Sequence, residues 1–126
     1  MSTPNRPYSL VYSVGYPGLI VSATYYFVNE EAGKRWKGEV QRVKDVSRAN
    51  VETIRGMGGL DSVTMEEKNR LWLPWLASVD QIIETYGREN VPFDVAYAVN
   101  DAERGLGRPV SEFTISHLHF RVTGPV

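Results

Sequence analysis

The sequence predicts an α+β domain: an antiparallel β-sheet from two hairpins, in the order β-β-α-α-β-β, with a helical hairpin packed on one face. Three observations predict it. A Tyr- and Val-rich N-terminal stretch is broken by a turn signal at Gly15-Tyr16-Pro17-Gly18. Two long central segments carry apolar residues three and four apart. The C-terminal third returns to alternating segments of the kind strands use. With 126 residues, 42% hydrophobic and 23% charged, the chain reads as one globular domain over 1–126.

The first hairpin spans Tyr8 to Val28. Proline fixes φ near −65° and glycine accepts positive φ, so Pro17-Gly18 suits a type II turn. The odd positions of its second strand (Leu19, Val21, Ala23, Tyr25, Phe27) are apolar throughout and suit the helix-covered face. A helix follows from Glu30 to about Arg55. Asn29 is positioned as N-cap, and Glu30 and Glu31 favour the positive end of the dipole. Ala32, Trp36, Val40, Val43, Ser47, Val51 and Ile54 share one face. Gly33 and Gly38 weaken the helix by about 1 kcal/mol each relative to alanine. A strand over Arg35–Val43 is the competing reading, against which the stripe stays in phase to Ile54. Gly56-Met57-Gly58-Gly59 ends the helix.

Thr64 and Glu67 have capping-box spacing and open a second helix. Leu71, Trp75, Val79, Ile82 and Tyr86 form its stripe, with Trp72, Leu76 and Ile83 beside it. Pro74 removes a hydrogen bond and predicts a kink. Gly87 ends the helix. The expected packing sets the Trp72/Trp75 face on the sheet and on Trp36 of the first helix. Beyond Pro92, FDVAYAV alternates and predicts a half-buried strand; 100–109 then reads as a polar connection and 110–122 as the last strand.

The 14 Lys+Arg and 15 Asp+Glu leave a formal net charge of −1, which argues against a general nucleic-acid binder. There is no cysteine, so thiolate metal sites and cysteine nucleophiles are excluded. No secretory leader and no apolar run of membrane-spanning length is present, and the expectation is a soluble, cytoplasmic protein without a membrane partner. GxSxG, HExxH and phosphate-loop patterns are absent, and no cofactor is implied.

Three places carry candidate chemistry. His117 and His119 lie two apart on the last predicted strand, with Cβ atoms about 7 Å apart. They are metal-ligand candidates, although two histidines without a third ligand are more often ordinary strand residues. With Arg121 they form a polar face suited to phosphate or carboxylate. The 100–109 connection offers Asn100, Asp101, Glu103 and Arg104, with Gly105 and Gly107 as exposed backbone donors. The first helix carries a basic stripe in which Lys34, Lys37, Gln41, Lys44 and Arg48 run three or four apart, diluted by nearby acids and most simply read as a solvated face.

These residues support three readings. The first is a non-enzymatic, homo-oligomeric binding protein that sequesters a small phosphorylated or nucleotide-like ligand through Asn100, Asp101, Arg104, His117, His119 and Arg121. The second is a structural or adaptor protein of a larger assembly, such as a viral particle, with a protein partner. The third is a small metal-dependent enzyme using His117 and His119. Oligomer formation is expected because the even positions Ile20, Tyr26 and Val28 leave the second sheet face partly apolar. The last strand repeats the pattern, with Phe113 and Ile115 on one side and Leu118, Phe120 and Val122 on the other.

Overall fold

A computed structural model of the chain describes residues 6–110 and 120–123. Strands β1 (Tyr8–Tyr16) and β2 (Leu19–Phe27) form the expected hairpin, paired from Tyr8↔Phe27 to Tyr16↔Leu19. Gly18 sits at φ 86, as the type II turn requires. A short strand β3 (Phe120–Thr123) adds to the far side of β2, giving a three-stranded antiparallel sheet of order β1-β2-β3. The terminal strand thus joins the sheet of the first hairpin. Three helices pack on that sheet: α1 (Glu30–Gly56), α2 (Met65–Tyr86) and α3 (Phe93–Gly105). The fold is α+β, with helices on one face. None of these helices is long and apolar enough to cross a membrane.

The local signals for α1 and α2 act as the side chains dictate. Asn29 accepts from the Ala32 N–H at 2.9 Å and caps α1. The Thr64 hydroxyl accepts from the Glu67 N–H at 3.2 Å, and Glu67 accepts in return from the Thr64 N–H. Pro74 lies inside α2 without ending it. Its ring is exposed, so the missing donor is lost on the solvent-facing side of the helix. Gly33 has a packing role beyond its helix cost. A Cβ there would stand 2.6 Å from the Tyr8 ring and 3.3 Å from the Phe27 ring. The bare backbone lets α1 approach β1 and β2 closely.

The expected fifth element is corrected. Residues 93–99 are not a strand and 100–109 is not a hairpin loop, because α3 runs through both. FDVAYAV alternates, but Phe93, Ala96, Val99 and Ala102 also fall on a helical stripe, and all four are buried. Pro92 precedes the first turn, the Ala96 N–H donates to the Pro92 carbonyl at 2.8 Å, and the alanines are strong helix formers. Val95 is buried on the same broad face, and Tyr97, Asp101 and Arg104 are exposed opposite it; within FDVAYAV only Asp94 is polar, so the helical face does not show in so short a stretch. Residues 111–119, most of the predicted last strand, lie outside the described residues.

The core forms where α1 crosses the sheet. Trp36 is fully buried, with ring centroids at 5.1 Å from Tyr25, 5.0 Å from Phe27 and 5.8 Å from Tyr12. Its indole N–H donates to the Asn90 carbonyl at 2.7 Å. Trp75 meets α1 two turns from Trp36, donating to the Val43 carbonyl at 2.9 Å; the two tryptophans therefore anchor different stretches of the helix. Trp72 stands edge-on to Trp75 at 5.4 Å and remains half-buried. Trp75→Ala should lower the unfolding free energy by about 3–5 kcal/mol, through the cavity and the lost indole bond to the Val43 carbonyl. Urea unfolding measures it, and a change below about 1 kcal/mol would contradict a core role.

Candidate functional site

The helical layer encloses a cavity because the core stripe of α1 drifts. Up to Val43 the buried positions follow the expected stripe; beyond it the buried residues are Asn50 and Ile54, while Val51 is 42% exposed. Asn50 turns inward because its amide donates to the Leu71 carbonyl at 2.9 Å. Ser47 and Val51 are thereby left without a covering side chain. They border a cavity of about 280 Å³ between the second half of α1, the start of α2 and the end of α3. Its apolar walls include Val51, Ile54, Leu60 and Trp72, and Lys68 and Asp101 are its charged residues. Lys68 has no carboxylate partner among the described residues.

A second cavity of about 200 Å³ adjoins the first, sharing Ser47 and Ala98 with it. It is bordered by Trp75 and by three charged residues, Lys44, Arg48 and Asp94. Lys44 and Arg48 belong to the basic stripe of α1. Arg48 holds Asp45 only at 3.7 Å on an exposed surface, a weak pair that leaves the guanidinium able to turn to another anion.

Lys44 is more firmly held. Its ammonium lies 3.1 Å from Asp94 and donates to the Tyr12 hydroxyl at 2.8 Å; the hydroxyl in turn donates to Asp94 at 2.8–2.9 Å. The ammonium also stands 5.1 Å from the Tyr12 ring centroid. This triangle joins β1, α1 and α3. Burial, and then the Asp94 charge and hydrogen bond, push the Tyr12 hydroxyl far above the ordinary tyrosine range. Burial also raises Tyr25, whose hydroxyl accepts from the Phe93 N–H at 3.0 Å and sets the start of α3 on the sheet.

The residues singled out in the sequence are dispersed by the correction to α3. Asp101 borders the apolar cavity and pairs with Arg104 at 2.9 Å, one helical turn away. Asn100 is buried. The loop-anion idea for Gly105 and Gly107 fails on two counts. The Leu106, Gly107 and Arg108 N–H groups donate to the Ala102, Arg104 and Glu103 carbonyls, and the negative end of a helix dipole repels anions. His117 and His119 lie outside the described residues. Arg121 pairs in register with Ser22. Among the described residues no group of three or more His, Asp or Glu side chains is placed to hold a metal ion.

Sequence reasoning missed Trp72 and Lys68 as cavity residues, and Tyr12 and Asp94 as a polar pair. The available signal was Lys44 and Arg48, spaced to face one side of α1. Comparison with protein-family models, characterised proteins and solved structures finds no match to this chain.

Tyr12 and Tyr86 hold their protons more tightly in the fold than in the unfolded chain. Tyr86 is pushed up to about 12 from 10.0 by burial first and then by Glu39. Their contribution to stability is therefore complete below pH 10 and is lost as the pH climbs through the folded values. The urea midpoint should hold to about pH 9 and fall between about pH 10 and 12. In Tyr12→Phe the fall should be shallower; an equally steep fall would contradict the assigned role of Tyr12.

Proposed function

We propose that the protein is a non-enzymatic binding protein that sequesters a small nucleotide-like ligand, one in which a planar ring carries a phosphate or similar anion. The observation that supports this reading is the adjoining pair of cavities. The first ends on the half-buried Trp72, and the second carries Lys44 and Arg48. A ring stacked on an aromatic side chain gains about 1–3 kcal/mol. A charge-assisted contact from Arg48 would hold the anion, and Asp94 would accept a hydrogen bond from a ligand hydroxyl. The combined volume is in the range of small-molecule sites.

The reading includes a homo-oligomer. Val11, Ile20 and Val28 are 67%, 37% and 58% exposed, an apolar surface that a second copy would cover. The same exposure favours the second reading, an adaptor whose sheet docks another chain. Sedimentation at low micromolar concentration separates them: a species heavier than 14.2 kDa supports the oligomer, and the monomer mass contradicts it.

Ligand binding is tested by titrating nucleoside mono- and diphosphates, with nucleosides and inorganic phosphate as controls, while following melting temperature and tryptophan fluorescence. Nucleotides should raise the melting temperature and alter Trp72 emission, since Trp36 and Trp75 are sealed from solvent. Arg48→Ala should weaken binding about tenfold without changing stability. No response to any nucleotide would contradict the reading.

A further inference from the structure

The helical layer is hollow at its other end as well. Between β2, the first half of α1 and the last turn of α2 lies a cavity of about 370 Å³, which shares no lining residue with the two described above. Tyr26, Phe27 and Tyr86 supply aromatic walls, and Arg6, Arg35 and Glu39 supply charge. Arg6 is ion-paired with Glu89. Arg35 is exposed and has no carboxylate partner among the described residues.

Glu39 is the telling residue. Its carboxylate meets the Tyr86 hydroxyl, but its Oε2 is buried and has no hydrogen-bond partner among the described residues. A buried acceptor without a donor is costly, and a ligand that brings the donor removes that cost on binding. Aromatic walls around a carboxylate favour an ammonium group. A ligand of net positive charge, however, would meet Arg6 and Arg35 in the same space. A molecule carrying an ammonium and a carboxylate meets neither objection. Arg35 and Glu39 are four residues apart on α1 and so neighbour each other on one helix face, close enough for one small molecule to bridge.

We propose that this cavity binds a small zwitterion of the α-amino acid class. The ammonium draws the Glu39 carboxylate toward the cavity and donates to it, the ligand carboxylate pairs with Arg35, and an apolar side chain lies against Phe27 and Tyr86. The site is independent of the nucleotide-like site, and either stands if the other fails.

Saturation-transfer NMR and isothermal titration of free amino acids test the proposal. Each is compared with two controls of the same skeleton, the amine without the carboxylate and the acid without the ammonium. At least one apolar amino acid should bind, with both controls at least about tenfold weaker. Glu39→Gln and Arg35→Ala should each weaken binding by a similar factor. Far-UV circular dichroism and the ligand-free melting temperature should be little changed in both. The proposal is overturned if no amino acid binds, if the amine alone binds as tightly as the zwitterion, or if well-folded Glu39→Gln keeps wild-type affinity.

Discussion

The structure depends on the meeting of Trp36 with Asn90. Trp36 is sealed from solvent in the second turn of α1, and its indole N–H must find an acceptor there or carry the full cost of burial. The Asn90 carbonyl provides it at 2.7 Å. The Asn90 amide then donates to the Tyr26 carbonyl of β2 and the Tyr86 carbonyl of α2, at 2.9 and 3.0 Å. One buried residue in the link before α3 thus ties the sheet, α1 and α2 together. The three aromatic rings around Trp36 add buried area, with Tyr12 edge-on and Tyr25 and Phe27 tilted against the indole.

The hollow beside Ser47 follows from the way α1 is held. Trp36 ties the start of α1 to the sheet, and Trp75 ties α2 to α1 at Val43. Past that point Asn50 takes the inward place in α1 to reach the Leu71 carbonyl, and no large side chain fills the space beside Ser47. α3 closes the cavity because its start is bound to the sheet through Tyr25 and Tyr12. Asp94 is both the first-turn acid of α3 and the partner of Lys44, so the contact that orients the helix also gives the adjoining cavity its polarity.

Much of this was legible in the residues. The hairpin followed from Pro17-Gly18 and the apolar odd positions of β2, which do face the helices. Asn29, Thr64 and Glu67 marked the starts of α1 and α2 because a cap is a local chemical act. The segment after Pro92 misled because FDVAYAV holds one polar residue, Asp94, and the exposed side of α3 is declared only further on, by Asp101 and Arg104. The cavities were illegible for another reason. A cavity is what packing fails to fill, and the inward turn of Asn50 depends on Leu71, twenty-one residues away. Only Lys44 and Arg48 announced a polar site, and the same spacing is the ordinary pattern of a solvated helix.

Hydrogen exchange at the three indole N–H groups tests this account most directly. Trp36 and Trp75 each donate to a buried carbonyl, while Trp72 borders an open cavity. The Trp36 and Trp75 indoles should exchange only through global unfolding, with Trp72 exchanging far earlier. A Trp36 indole that exchanges as fast as that of Trp72 would contradict the claim that its bond to Asn90 holds the fold together.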